Sequence, residues 1–308
     1  MLTTLAVYAP HVREAGFVYE DGTDVDTQYR AWQGWATELH DAAVRPARAV
    51  ARAVQRVVGF DPVAQHATSL ALHLVCGLLV WAVASAWGSP WGATLAAGVF
   101  WLHPASVDAV AYASARPDVL MTLAVLLGLL AVQADRVGLA WLCAAVAVLC
   151  KESGVVAFGL LPLTAWVFGS RWSPRASMAW ALSCAVPLVA AVLTLDARMD
   201  GLPALSRAWA TLGWLLTRIV WPVGLTIDPA VTWAPALVLL ALAALSVAIW
   251  AQGRSWLAFG WTWALVALAP RFVLPLHEGP HVAHLYLPMV GVSLAAGALV
   301  TQERMNPS

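Results

Sequence analysis

Apolar residues run along this chain in long unbroken blocks; they neither alternate nor recur on a single helical face. Such blocks fall at 65–87, 91–103, 118–134, 138–150, 153–169, 177–195, 233–251, 255–269 and 283–301. A helix that is apolar all round is written for lipid or for the interior of a bundle, because a water-facing helix needs a polar stripe. Crossing about 30 Å of hydrocarbon takes about 20 residues. The shorter blocks are therefore expected to borrow flanking residues or to pack against protein. The pattern predicts an all-α fold, a polytopic transmembrane helix bundle of about nine or ten spans, forming one integral membrane domain over residues 1–308.

Segments between the blocks refine this layout. "MLTTLAVYAP" has neither a basic leader nor a small-residue cleavage pattern, and it is too short to cross a bilayer; residues 1–9 are read as a truncated first span. A polar first outer loop follows over 10–64. Within it, "AVRPARAVARAVQRVVGF" predicts an amphipathic helix over 44–58, with Arg45, Arg48, Arg52 and Arg56 three or four apart and Val50, Val54, Val57 and Val58 on another face. Such a helix suits a membrane surface or packing on the protein's own loops, and the sequence leaves both open. The stretch 205–227 is broken by Arg207, Arg218 and Pro222, and reads as a surface-lying or re-entrant element. The bundle spans 65–301, with no soluble C-terminal domain expected. No internal repeat or low-complexity tract interrupts it.

Composition agrees with lipid as the solvent: 61% of residues are apolar and only 11% charged. A formal net charge of +0 argues against a nucleic-acid partner, which needs a basic face to meet phosphates. Cys76, Cys143, Cys150 and Cys184 all lie in apolar runs, where they are expected to act as small hydrophobes. Orientation is less readable. With 10–64 placed outside, the inner loops carry Arg136, Arg171, Arg175, Arg254 and Arg304, and the outer ones Arg116, Lys151, Arg198, Arg207, Arg218 and Arg271. The usual inner excess of cations is missing, as it would be if outer cations are kept to hold an anion. Lys151 is the single lysine of the chain.

Charges in lipid are costly and persist mainly where they pair or line a cavity. In the expected helix order the polar residues gather at the outer ends. These clusters are Glu20, Asp21, Asp24 and Asp26; His103, Asp108, Arg116 and Asp118; Lys151 and Glu152; and Arg271, His277, Glu278, His281 and His284. A shared pocket would explain them. Each also has a plainer explanation: solvated loop acids, a helix-end histidine before Pro104 satisfied by backbone, a loop salt bridge between Arg116 and Asp118, or Lys151 and Glu152 paired with each other or with neighbouring helices. His277, His281 and His284 have helix-like spacing, but Gly279 and Pro280 interrupt it, so no metal site is expected. His66 and His73, seven apart, share a helical face.

Six segments, "GFVYEDGTDV", "QHATSLALHLVCGLLV", "WLHPASVDAVAYASARPDVLMTLAVLLGLLA", "CKESGVVAFGLLPLTAW", "RIVWPVGLTIDP" and "HVAHLYLPMVGVSL", resemble in this order the membrane half of the transmembrane O-mannosyltransferases that carry tetratricopeptide repeats, and their bacterial relatives. These belong to the GT-C class of glycosyltransferases. The resemblance covers nearly the whole chain. It implies a GT-C fold and an inverting sugar transfer from a polyprenyl-phosphate sugar in the membrane to a hydroxyl of a protein or glycan acceptor. It further implies that Asp21, or else Glu20, acts as general base, with Lys151 and Arg116 as candidates for the donor phosphate and Glu152 holding Lys151 in place. His103, Asp118, His73 and His284 would support the pocket, and Tyr286 and Pro288 would shape the last helix. No cofactor beyond the lipid-linked donor and no divalent metal are implied. The bacterial inner membrane, with the active site outside, is the expected location. No tetratricopeptide repeats follow residue 301, which leaves the acceptor open, and the acidic pair begins with Glu20 where the family often has aspartate. The alternative is a non-catalytic polyprenyl-lipid-binding or translocating protein of the same fold.

Overall fold

The computed structural model of the chain describes residues 1–14, 49–86, 89–167, 172, 179–180, 211–219, 221–223, 244–248, 250–251, 255–270 and 281–301. Every regular element among them is helical. The principal helices are α1 (Leu2–Glu14), α2 (Ala49–Val58), α3 (Pro62–Ser85), α4 (Pro90–Leu102), α5 (Val107–Ala111), α6 (Arg116–Gln133), α7 (Val137–Cys150), α8 (Ala157–Val167), α9 (Ser255–Leu268) and α10 (Tyr286–Val300). Among the described residues, three continuous helical stretches are long and apolar enough to cross a membrane: Pro62–Ser85, Ala113–Gln133 and Val282–Val300. Runs 177–195 and 233–251 lie largely outside the described residues. The interrupted stretch 205–227 is helical over 211–219.

The described residues belong to two compact units. The first comprises Met1–Cys76 and Ser106–Leu193, and its centre is the antiparallel hairpin of α6 and α7, against which α8 packs. The close approach has a small-residue cause. A Cβ on Gly128 of α6 would come within 2.8 Å of Leu161 Cδ1 on α8 and 3.2 Å of Cys143 Cβ on α7. Backbone hydrogen bonds close the hairpin turn. Asp135 takes a left-handed φ of 55°, its N–H donates to Val132 O at 3.0 Å, and the Arg136 N–H donates to Ala131 O at 2.8 Å. This is the Schellman arrangement, with an aspartate where glycine is usual.

The amphipathic segment expected over 44–58 is described from Ala49 onward. There α2 packs against α6 and α7 with Ala51 buried, so contact with the chain's own helices takes part of this segment. Its C-terminal end is tied to the start of α3 by the Gln65 side-chain amide, which donates to the backbone oxygens of Gly59 and, at 3.3 Å, Gln55.

The second unit comprises Gly77–Ala105 and Thr194–Ser308. Here α10 packs against both α4 and α9. Lipid tails are as apolar as leucine, so helices in a bilayer gain little by hiding leucines from them and associate through close backbone packing at small residues. Both crossings obey this. A Cβ on Gly297 would lie 2.5 Å from Gly92 O, and one on Gly260 would lie 2.5 Å from Gly291 O. Aromatic contacts fill the adjoining space: Phe100 and Tyr286 meet edge to face at 5.2 Å, and Trp263 Nε1 donates to Leu287 O at 3.4 Å. At its start, α4 is capped by Ser89, whose hydroxyl accepts from Gly92 N at 3.2 Å, with Pro90 at the first helical position where no N–H is needed.

Candidate functional site: a buried cation cluster on the α6–α7 hairpin

Arg116, Pro117 and Asp118 open α6. Proline fits a first helical turn, whose amides have no intrahelical partner, and an acid there complements the helix dipole. Arg116 and Asp118 are thus part of a helix start instead of the loop salt bridge that the sequence also allowed. Both are buried, Arg116 to 2% exposure.

At the other arm, α7 ends at Cys150 and Lys151 turns extended, with φ −157° and ψ 147°. The chain then reverses through the short 3-10 turn Glu152–Val156, where the Gly154 N–H donates to Lys151 O at 2.9 Å. A Cβ on Gly154 would collide with the α7 backbone, reaching 2.7 Å from Val148 N, so the "KESG" turn needs its glycine. The reversal sends the Lys151 side chain back across the hairpin.

Its ammonium meets Asp118: Nζ lies 2.6 Å from Oδ2, with both side chains buried. The sequence reading names Glu152 for this role; the carboxylate seen on the ammonium is Asp118. Glu152 is exposed on the turn, because the chain reversal sends neighbouring residues in different directions.

Arg116 reaches the opposite way, onto α3. Its Nη2 donates to Gln65 O at 2.9 Å and approaches Ser69 Oγ at 3.4 Å. Gln65, Ser69 and His73 recur every four residues on one face of α3, and all three are fully buried. The His73 ring takes the edge of Tyr8 from α1 at a centroid distance of 5.6 Å, and Asp108 of α5 acts electrostatically on the Tyr8 hydroxyl. One polar tract therefore joins α1, α3, α5 and α6 inside the first unit. It carries the buried Arg116 cation, and the buried Lys151–Asp118 ion pair lies at the same helix start.

Of the expected site residues, Arg116, Asp118, Lys151 and His73 come together in this unit. His103 and His284 belong to the second unit. His103 follows the last residue of α4, where its Nδ1 accepts from Ala105 N at 3.2 Å, the backbone-satisfied role expected of a helix-end histidine. Burial holds its imidazole below the ordinary value, opposed by a hydrogen bond to the Ile219 backbone. His284 sits in the 3-10 turn before α10, ring edge to face with His281 at 5.8 Å. Glu20 and Asp21 lie outside the described residues, as do His277 and Arg271. Among the described residues no group of three His, Cys, Asp or Glu side chains is placed to hold a metal ion. Cys76, Cys143 and Cys150 are buried thiols outside any disulfide, and the Cys76 thiol donates to Val119 O at 3.9 Å.

Sequence reasoning missed Gln65, Ser69 and Tyr8, and it did not name Asp118 as the partner of Lys151. The signal for Asp118 was present: it stands seventeen residues before Asp135, and Lys151 sixteen after it, so a hairpin turning at Asp135 sets them side by side. The four-residue recurrence of Gln65, Ser69 and His73 in an apolar helix was a second signal. No family model, no curated protein and no solved structure matches the chain.

Proposed function

We propose that the protein is an inner-membrane glycosyltransferase of the GT-C class that moves a hexose, mannose or a relative, from a polyprenyl phosphate to a hydroxyl of an external protein or glycan. The observation that supports the reading is the burial of Arg116 and of the Lys151–Asp118 pair among apolar helices, because such cations persist in lipid mainly where function needs them. The six segments that resemble this class supply the rest. In the reaction, a carboxylate at Asp21 or Glu20 takes the acceptor proton as the hydroxyl oxygen attacks the anomeric carbon. The bond from that carbon to the phosphate oxygen breaks on the opposite face, the configuration inverts, and the polyprenyl phosphate leaves with the electron pair. Arg116 and Lys151 stabilise the charge that grows on the leaving oxygen.

The test is transfer by the purified protein in proteoliposomes supplied with a polyprenyl-phosphate mannose and a mixed peptide and glycan acceptor pool. Asp21→Asn or Glu20→Gln is expected to lower turnover by about 100-fold or more, in the range for loss of a general base. Transfer by both variants at the parental rate sinks the acidic-pair mechanism. Donor binding by the parent without any turnover points to the lipid-binding alternative.

A further inference from the structure

Lys151 is a flexible point charge on a four-carbon stem, set in apolar surroundings that favour its neutral form. Two things are needed for it to serve a phosphate: a fixed position and a retained proton. Asp118 is placed to supply both, being buried, seated in the first turn of α6, and 2.6 Å from Nζ. Its own position is set by the helix, whose start is tied to α3 through Arg116.

We propose that Asp118 is a positioning residue for the donor site: it touches no substrate, and it holds the Lys151 ammonium charged and in place for the donor phosphate. The inference rests on the function proposed above and deepens it. The consequence is a pH signature. A buried ammonium deprived of its counter-ion gives up its proton at lower pH than a solvated one, and phosphate affinity goes with it.

The groups on the elements packed around this pair are Arg116 on α6, Arg52 and Arg56 on α2, His66 and His73 on α3, Glu152 on the turn, and Cys143 and Cys150 on α7. Carboxylates ordinarily titrate near 4, imidazoles near 6.5 and guanidiniums above 12, and a phosphate monoester has its second ionisation near 6. The measurement runs from about pH 7 to 9.5, and an arginine control at position 151 separates the ammonium from these neighbours.

The experiment measures the affinity of a synthetic polyprenyl phosphate for the protein in phosphatidylcholine nanodiscs across that window, with tryptophan-fluorescence melting to verify folding. The wild type is expected to bind with constant affinity. Asp118→Asn is expected to lose about tenfold per pH unit once the ammonium deprotonates. In the double variant Asp118→Asn, Lys151→Arg the guanidinium keeps its charge, so a flat profile there assigns the slope to Lys151 and not to the thiols. A folded Asp118→Asn protein with wild-type affinity and a flat profile overturns the inference. Should Asp118→Asn fail to accumulate, Asp118→Glu decides: the extra methylene displaces the ammonium and is expected to weaken binding at least threefold, and unchanged affinity overturns the inference. Lys151→Ala separates the two readings, since wild-type affinity in that variant removes the phosphate site itself.

Discussion

The guanidinium of Arg116 ends 2.9 Å from the backbone carbonyl of Gln65, fifty-one residues earlier in the chain. This contact helps tie the start of α6 to the polar face of α3, and the planar fork also reaches Ser69 Oγ. A lysine ammonium is shorter and lacks the fork. Arg116→Lys is therefore expected to destabilise the fold by about 1.5–3 kcal/mol, the range for a hydrogen bond to a charged group. Thermal or denaturant unfolding in a mild detergent measures this, and a melting curve indistinguishable from the parent's counts against the tie.

The crossing of α9 and α10 gives an independent expectation. A Cβ on Gly291 would come within 2.8 Å of Ala264 N and 2.7 Å of Trp263 Cδ1, so a bulky side chain there must force the helices apart. Gly291→Leu is expected to cost at least the 1–3 kcal/mol typical of overpacking. Nothing lies within 4 Å of a Cβ added at Gly98 or Gly159. Alanine at either is expected to leave stability unchanged or to raise it by about 0.4–1 kcal/mol. Equal effects at all three sites, read by the same unfolding assay, would show that packing is not what selects glycine.

His103 introduces a pH dependence of known sign. Its Nδ1 accepts from Ala105 N, a bond that only the neutral ring can accept, and burial keeps the folded-state value below the ordinary one. Linkage then fixes the direction: the contribution is present above the unfolded value of about 6.5 and is lost as pH falls from there through the lowered folded value. Comparing melting temperatures at pH 7.5 and 5 for the parent and His103→Gln checks it. The parent should lose more on acidification than the variant, and an equal loss removes this role.

The helical class and most block boundaries were legible because uniform hydrophobicity is a strong signal. Blocks 118–134, 138–150 and 283–301 match α6, α7 and α10 to within a few residues. That the start of α6 lies beside the end of α7 was legible through helix order, since two antiparallel helices bring the beginning of one beside the end of the other. Which carboxylate faces Lys151 was not. Adjacency in sequence favoured Glu152, but an extended residue followed by a 3-10 turn sends neighbouring side chains in different directions, and that local geometry is not written in hydropathy. Gln65 and Ser69 were hidden for a different reason. Short polar side chains barely lower the mean hydropathy of a 24-residue helix, and Arg116 reaches the backbone of Gln65, which no side-chain pattern reveals.

The closure at Asp135 has an effect far from itself. Between Asp118 and Lys151 the chain runs down one helix and up the next, so the angular phase of α7 is fixed where it leaves the turn. Adding or deleting one residue within α7, between that exit and Lys151, would rotate the lysine by about 100° relative to the turn and shift it axially by about 1.5 Å. The loop remote from the cations is in this sense their protractor: it leaves every residue of the cluster untouched, yet it decides whether the lysine faces the aspartate at all.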